Sequence, residues 1–463
     1  MEQNGKPLKV AIVSASSAVL RLSGRFLTTK PQIGGSLTGL MCGIMLKHAG
    51  HSVTIVEQNN DERESYMAGV CLGPSGGDFL ARHDRLTDLF YHRTSMLQIL
   101  RSDGNIKFFF AGRRDITSWD TYYFRLRSLF DGYLSSYNPQ APLSRDADGP
   151  VFYKSRTKVL DITRQSHSGS KIVLSLVDCN SDEISQMEAD MIIGADGPDS
   201  FVQSKYLPDV KRRYMGYVAW RGIVPESDIS VETRELLDRG AIVHRMDRHH
   251  CIMYIIPGIN GSLKPGERFL NFLWYTNESR ESLDDIMIDG IDGHRHHNIV
   301  PAGHIRGDVW SACLERATAA PFPAPFLEAI TNIQRPFLQV ITEFCSPRAA
   351  FEDGKVLLIG DALSLFCPHT ALSGTQAAFH TRAVEDYVTG KLSLKEWERK
   401  VLTYSHVYWS QSVWWGRFYQ QHIAAALPSG VYYWAYYSYD RVRSWWNNLW
   451  SQSFKGSSDE YIT

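Results

Sequence analysis

Leu8-Lys9-Val10-Ala11-Ile12-Val13, then Gly34-Gly35-Ser36-Leu37-Thr38-Gly39, then the run from His51 to Glu57 (HSVTIVE) are the pieces of residues 8–57 on which the fold turns. The first and last pieces are short apolar runs that read as buried strands, and the last ends on an acid. Between them, residues 40–50 read as a buried helix with Gly50 as its stop. Strand, glycine loop, helix, strand and terminal acid together form a dinucleotide fingerprint in a variant form. Gly34 permits the tight turn. Ser36 stands where a second glycine lets backbone approach a pyrophosphate, and Gly39 lets the helix pack close to the strand. The helix N-terminus offers free N–H groups to phosphate. Glu57 lies a little over twenty residues after Gly34, placed to bond the adenosine ribose.

The spacing inside this unit is irregular. The glycine loop should follow the first strand at once, yet residues 13–32 (VSASSAVLRLSGRFLTTKPQ) intervene. Their composition is unlike that of their flanks, and they show no clean helix or strand period. Removing them joins Lys9-Val10-Ala11-Ile12 to Ile33-Gly34-Gly35-Ser36, a regular strand-to-loop junction. The segment reads as a retained intron. Val-Ser can be encoded by a donor sequence, Leu27-Thr28 can contain a branch point, and Gln32 can be an acceptor. The competing reading is a surface insertion, and long structureless loops inside a compact unit are uncommon.

Composition narrows the function class. The chain has 463 residues and a formal net charge of -1, which argues against nucleic acid as the main partner. Seven dispersed cysteines without CxxC spacing suit free thiols in a reducing compartment. The polar N-terminus shows no signal peptide, and no run of 18 or more apolar residues predicts a spanning helix. These features point to the cytoplasm.

Two later motifs extend the pattern. Residues 189–200 (ADMIIGADGPDS) read as a strand entering a tight Asp196-Gly197 turn at a strand's carboxyl end, where open α/β sheets place ligands. Residues 355–362 (KVLLIGDA) read as another buried strand, followed by Cys367-Pro368-His369-Thr370 and small residues that suit a loop entering a helix. Such a helix N-terminus can face an anion or a flavin oxygen.

The order GGSLTG…E, GADGPDS, LLIGDAL…CPHTA resembles the FAD-dependent aromatic hydroxylases of the p-hydroxybenzoate hydroxylase type, over residues 8–380. The resemblance implies an α/β fold: a Rossmann-like FAD-binding domain, a sheet-based substrate domain and a C-terminal helical extension. It implies that Gly34, Gly35, Ser36 and Gly39 surround the FAD pyrophosphate and Glu57 the ribose. Asp196 and Gly197 would link flavin and nicotinamide binding, and Asp361 would bond the ribityl chain or pyrophosphate. Pro368 would pack on the isoalloxazine, with His369 and Thr370 nearby. Arg127, or else Arg125, resembles the FAD-contacting arginine. The chain departs from the pattern at Ser364, Ala371 and Ser373, and it carries Gln203 near the place of an expected arginine.

Residues 214–222 (YMGYVAWRG), the Pro-His-Thr at 368–370, and 253–258 and 265–275 are similar to the dihydroxypyridine and hydroxynicotinate monooxygenase branch. They also read plainly as strands that would roof a substrate cavity. Oxygen transfer from a flavin needs a dry pocket, which Tyr217, Trp220 and Trp274 can wall. A ring hydroxyl reacts better ionised, so a base or proton relay is expected, with Tyr217, His369 and the pair His249-His250 as candidates. Arg221 would sit near flavin or nicotinamide, against the alternative of a plain ion pair. Residues 289–297 (DGIDGHRHH) lack ligand spacing, so no metal site is expected.

The aromatic C-terminal region reads as a helical cap or a homodimer face rather than a membrane-surface anchor. The expected division is 1–210 and 346–390 for the FAD domain, 211–345 for the substrate sheet, and 391–463 for the helical region. The implied reaction consumes NADH or NADPH and O2 and hydroxylates a small aromatic or N-heteroaromatic molecule. Epoxidation of an alkene, or a non-catalytic product with a broken phosphate loop, are the other readings.

Overall fold

The structure, a computed structural model, describes residues 7–14, 37–60, 68–165 and 171–456; of 108–113 and 443–456 only the backbone is described. Gly34, Gly35 and Ser36 therefore lie outside the described residues, as do residues 15–32 of the segment read as an insertion.

The apolar runs of the fingerprint build a six-stranded sheet in the order Ala350–Phe351, Val356–Leu358, Met191–Gly194, Lys9–Ser14, Ser52–Glu57, Val151–Lys154. Every neighbouring pair is parallel except the first. Parallel strands covered on both faces must be apolar throughout, and Val10, Ala11, Ile12 and Val13 are all buried. The first strand continues through Val13 and Ser14, with Val13 beside both Gly194 and Val56 and Ser14 beside Glu57. The sheet thus takes in the first two residues of the 13–32 segment. The helix Leu37–His48 is buried from Thr38 to Lys47, as a helix apolar all round must be. It stops at Gly50, which adopts a left-handed φ of 81°.

A second sheet is built mostly from antiparallel strands. Its order is Ile299–Val300, Phe337–Cys345, Arg213–Pro225, Phe269–Asn277, His249–Ile256, Gly240–Met246, His92–Leu100, Ile106–Ser118, Gly69–Cys71. The last three strands come from the stretch read as the first part of the FAD domain, so the chain enters the second sheet before residue 211. Only Gly69–Cys71 is a short edge strand; His92–Leu100 and Ile106–Ser118 are long inner strands.

The helices Val231–Asp238, Gly307–Ala319 and Ala324–Thr331 cover one face of this sheet, over a core containing Val218, Trp220, Phe272 and Trp274. Side chains alternate along a strand, so Tyr217, Ala219, Leu273 and Tyr275 face the other way. This corrects the expectation that Trp220 and Trp274 wall the substrate pocket. The two are directly paired across strands, and both point into the helix-side core.

A three-stranded meander (Thr157–Arg164, Ile172–Asp178, Ile184–Ala189) lends Val159, Ile162, Ile172 and Leu174 to the core of the first sheet. The C-terminal region forms two long helices, Leu394–Gln420 and Ile423–Gly456. Ser393 and Glu396 start the first with a capping box. Trp397 and Val401 of this helix are fully buried in the first core, so the region acts as a cap. No helix among the described residues is long and apolar enough to cross a membrane.

Candidate active site

The two sheets meet over a pair of cavities that share a wall. One, of about 250 Å³, is bordered by Asp196, Pro198, Asp199, Arg212, Asp361 and Pro368. The other, of about 280 Å³, is bordered by His250, Tyr254, Tyr275, Pro368, His369 and Tyr419. Arg221, Gln339, Pro368 and Ser373 border both.

The first cavity lies at the carboxyl ends of the parallel strands, where such sheets bind ligands. Asp196 and Asp361, each just past a strand end, border it, whereas Glu57, Gly39 and Gly360 do not. Glu57 is wholly buried, and its carboxylate accepts hydrogen bonds from the Ser14 hydroxyl at 3.0 Å and the Asn59 N–H at 2.9 Å. Gly39 is buried within the helix Leu37–His48. Gly360 has a left-handed φ of 63°, and a Cβ there would stand 2.4 Å from the Thr38 hydroxyl. Only glycine lets this turn close onto that helix. The Gly360 N–H donates to His380 Nδ1 at 2.9 Å.

Asp361 follows on that turn, and burial lifts its carboxyl to about 6. The nearest side-chain donor, Gln376, stands at 3.5 Å, so the carboxyl retains acceptor capacity toward the cavity. Asp196 is also raised to about 6 by burial, though the Ser200 hydroxyl and the Val202 N–H both donate to it. Its carboxylate closes the turn, which Gly197 enters at a φ of 73°. Arg127 borders neither cavity. It pairs with Asp131 at 2.9 Å and lies 3.5 Å over the Tyr153 ring. Arg125 pairs with Asp84 at 3.0 Å. The hydroxyls of Thr370 and Thr375 and the carbonyl of Gln376 are buried beside the Pro368 loop without a protein partner.

From His369 and His250 on the wall of the second cavity a chain of hydrogen bonds runs back to Tyr217 and Gln420, which do not border it. The Tyr217 hydroxyl meets His369 Nε2 at 2.7 Å, His369 Nδ1 meets His250 Nε2 at 3.2 Å, and His250 Nδ1 meets the Gln420 amide at 2.9 Å. Burial drives His369 down to about 3 and His250 well below the usual imidazole range, while it pushes Tyr217 well above the phenol range. All three side chains are therefore neutral near pH 7. His250 is stacked between Tyr275, at 4.5 Å, and Tyr419, at 4.2 Å. Three of the four histidine and tyrosine candidates thus come together. His249 does not, because strand alternation turns it to the helix side, 6.3 Å from the Trp274 ring.

Sequence reasoning placed Tyr254 and Tyr275 only within strands that roof the cavity and did not find Gln339, Tyr419 or Gln420 as site residues. Gln420 is 170 residues from His250, and no local pattern marks it. The C-terminal helix therefore supplies part of the cavity wall as well as capping the fold.

Arg221 is 9% exposed and donates from Nη1 to Gln339 Oε1 at 2.8 Å. Its guanidinium lies 4.9 Å over the Phe337 ring, and its Nε has no partner. No ion pair holds it among the described residues. In the 289–297 stretch, Asp289 Oδ2 accepts from His296 Nε2 at 2.8 Å and His304 Nδ1 at 2.7 Å. These bonds tie the loop together, and no group of His, Cys, Asp or Glu among the described residues is arranged to hold a metal.

Comparison with known proteins agrees with this fold. A family model described as FAD binding domain-like matches residues 214–343. The chain is 26% identical over 387 residues to 2,6-dihydroxypyridine 3-monooxygenase of Paenarthrobacter nicotinovorans, covering 81% of this chain and 87% of that protein. The structure of 2,6-dihydroxypyridine-3-hydroxylase from Arthrobacter nicotinovorans superposes with a TM-score of 0.71 at 23% identity, covering 90% of this chain and 93% of that one. HpxO of Klebsiella pneumoniae, solved with FAD and uric acid, gives a TM-score of 0.62 at 14% identity, with 92% of each chain covered. The fold is that of the FAD-dependent monooxygenases. The resemblance to the p-hydroxybenzoate hydroxylase type, and to its dihydroxypyridine branch, is borne out.

Proposed function

We propose that this chain is an FAD-dependent monooxygenase that uses NADH or NADPH and O2 to hydroxylate a small aromatic or N-heteroaromatic ring. The observation that carries the reading is the pair of cavities meeting at Pro368. One holds carboxylates at the ends of parallel strands, and the other is ring-lined and backed by a neutral histidine relay. The FAD-binding description of the matching family and the dihydroxypyridine relative support it.

The first cavity suits a flavin nucleotide. Asp361 has acceptor capacity for a ribityl hydroxyl, and the orphaned groups of Thr370, Thr375 and Gln376 suit the polar edge of a flavin ring. Glu57 would hold the ribose, and Gly39 would let the helix approach the strand closely. When bound and reduced by the nicotinamide, FAD activates O2 so that one oxygen atom passes to the ring and the other leaves as water.

The chain's own residues manage water and protons. Tyr254, Tyr275 and Tyr419 replace water with ring surface around the substrate. The relay has two proton orderings. In one, the Gln420 amide donates to His250, His250 donates to His369, and His369 donates to the Tyr217 oxygen. In the other, with the amide reversed, each bond runs the opposite way. Passing between them, with the amide turning over, reverses the hydrogen bonds and leaves both imidazoles neutral, so the Tyr217 hydroxyl can act either as acceptor or as donor beside the cavity. All seven cysteines are free thiols, which supports the cytoplasm as the working compartment.

The test is turnover under ¹⁸O₂ with NADH or NADPH and a panel of hydroxypyridines and hydroxybenzoates. Product carrying one ¹⁸O atom, with substrate-stimulated oxidation of the nicotinamide, is the expected result. Unlabelled rings with stoichiometric peroxide would overturn it.

A further inference from the structure

The aromatic C-terminal region does more than cap the fold. Its helices Leu394–Gln420 and Ile423–Gly456 border a groove of about 380 Å³ together with Phe379 of the helix Ser373–Val388. The walls are rings. Phe379 and Tyr404 stack at 3.9 Å and 14°, Tyr404 meets Tyr408 at 4.4 Å, and Tyr437 borders the same space. The charged groups of this groove are Arg399, Lys400, Arg441 and Asp440. Lys400 is held by Asp386 at 3.0 Å. Arg399 and Arg441 are exposed, and neither has an ion-pair partner among the described residues. Ring walls under a cationic rim complement a flat aromatic group that carries phosphate.

A neighbouring groove of about 540 Å³, between the helices Pro74–His83 and Ser373–Val388, shares Phe379 with the first. Arg82 and Arg382 share Glu385 there, at 2.6 and 3.0 Å, and Asp78 and His83 complete its titratable groups. Thr381 borders it, is 1% exposed, and its Oγ1 has no partner. A buried hydroxyl of this kind is costly unless a ligand or water answers it. Ala378, Phe379, Arg382 and Glu385 border this groove at the spacing that puts side chains on one helix face. Ser373, at the start of the same helix, borders both cavities of the site. At about 1.5 Å per residue, Phe379 lies about 9 Å and Arg382 about 13 Å along the helix from Ser373. A molecule of dinucleotide length lying along this face reaches from the site to the rings.

Resting on the monooxygenase reading above, we propose that the adenylate half of NADPH docks along this face, with its base against the rings of Phe379, Tyr404 and Tyr408 and its 2′-phosphate on Arg399 and Arg441. The single glycine fingerprint serves FAD, so the nicotinamide nucleotide needs a site of another kind. The chain thus prefers NADPH to NADH. Two guanidinium contacts at an exposed rim correspond to a preference of about tenfold. Stacking of the base on an aromatic wall contributes about tenfold or more to both nucleotides.

The experiment uses the full chain loaded with FAD, so that the adenylate site of the flavin is filled. Adenosine 2′,5′-bisphosphate and 5′-AMP are titrated by calorimetry. The Kd of NADPH and of NADH is read from the concentration dependence of anaerobic flavin reduction. The bisphosphate should bind about tenfold tighter than 5′-AMP and should compete with NADPH. Arg399→Gln combined with Arg441→Gln should raise the Kd of NADPH about tenfold and leave that of NADH within about twofold. Tyr404→Leu should raise both. The two arginines are exposed, so their variant decides the case even where the tyrosine variant fails to fold. Equal binding of bisphosphate and 5′-AMP overturns the proposal, as does bisphosphate that binds without competing with NADPH. An unchanged Kd for NADPH in the arginine variant overturns it too. Flavin that neither nicotinamide nucleotide reduces overturns the monooxygenase reading instead, and the bisphosphate titration still decides the groove.

Discussion

Deleting residues 13–32 should tighten FAD binding, and the structure shows through which atoms. In the chain as written, Ser14 ends the first strand beside Glu57, and its hydroxyl donates to Glu57 Oε2 at 3.0 Å in a buried setting. Oε2 is an atom by which the fingerprint acid would hold the ribose. Deletion brings Ile33 to the position of Val13 and Gly34 to that of Ser14. The isoleucine keeps a β-branched apolar residue in a fully buried slot, at a packing change of about 1 kcal/mol. The glycine removes the competing hydroxyl and sets the phosphate loop directly after the strand. A hydrogen bond to a buried carboxylate is worth about 1.5–3 kcal/mol. Transferred from Ser14 to a ribose hydroxyl, it corresponds to an affinity gain of about tenfold to a hundredfold. Both forms are to be expressed in parallel. FAD per chain is measured after purification, and Kd by titrating the apoprotein and following flavin fluorescence. Equal occupancy with equal Kd would refute the reasoning. Mature message carrying these codons in most copies would refute the intron reading itself.

Other consequences are as direct. Tyr217→Phe removes the hydroxyl that meets His369 at 2.7 Å; turnover should drop by about a hundredfold or more while FAD content holds, and an unchanged kcat would remove the relay from the mechanism. Arg268 and Glu226 form a buried ion pair that also reaches Asp238. Arg268→Ala leaves Glu226 buried and uncompensated, so the denaturant midpoint should report a loss of about 3–5 kcal/mol, and a loss under 1 kcal/mol would contradict that account. Burial holds His369 and His380 at about 3, and His48 and His83 at about 4. Between those values and the unfolded value near 6.5, the unfolded chain binds more protons, so stability rises with pH and is lost as pH falls below about 6.5. Asp196 and Asp361, raised to about 6, act in the opposite sense from about 4 to 6. With these four histidines and His250 against two carboxylates, the melting temperature should decline from pH 7 to pH 4.5, and a rise would reverse the assignment.

The three ordered motifs were legible because each is a local pattern: an apolar strand, then a turn that needs a particular residue. Lys9–Ser14, Met191–Gly194 and Val356–Leu358 lie side by side, with Ser14, Ala195 and Gly360 at one end of the sheet. Strand period thus determined the parallel sheet, while the family resemblance implied Asp361 and Pro368 as site residues, and the chemistry of a ring hydroxyl made Tyr217, His369 and His250 candidates. Period alone could not say which face of the second sheet looks onto the cavity. Alternation separates Trp220 from Tyr217 and His249 from His250, but either set can be the inward one. The choice fell to the helices Val231–Asp238, Gly307–Ala319 and Ala324–Thr331, which cover the tryptophan face and leave the tyrosine face toward the cavity. Gln420 and Tyr419 were likewise decided by tertiary structure, since a helix near the end of the chain folds back onto His250. A side chain's chemistry is written in sequence, but its neighbours across 170 residues are set by packing.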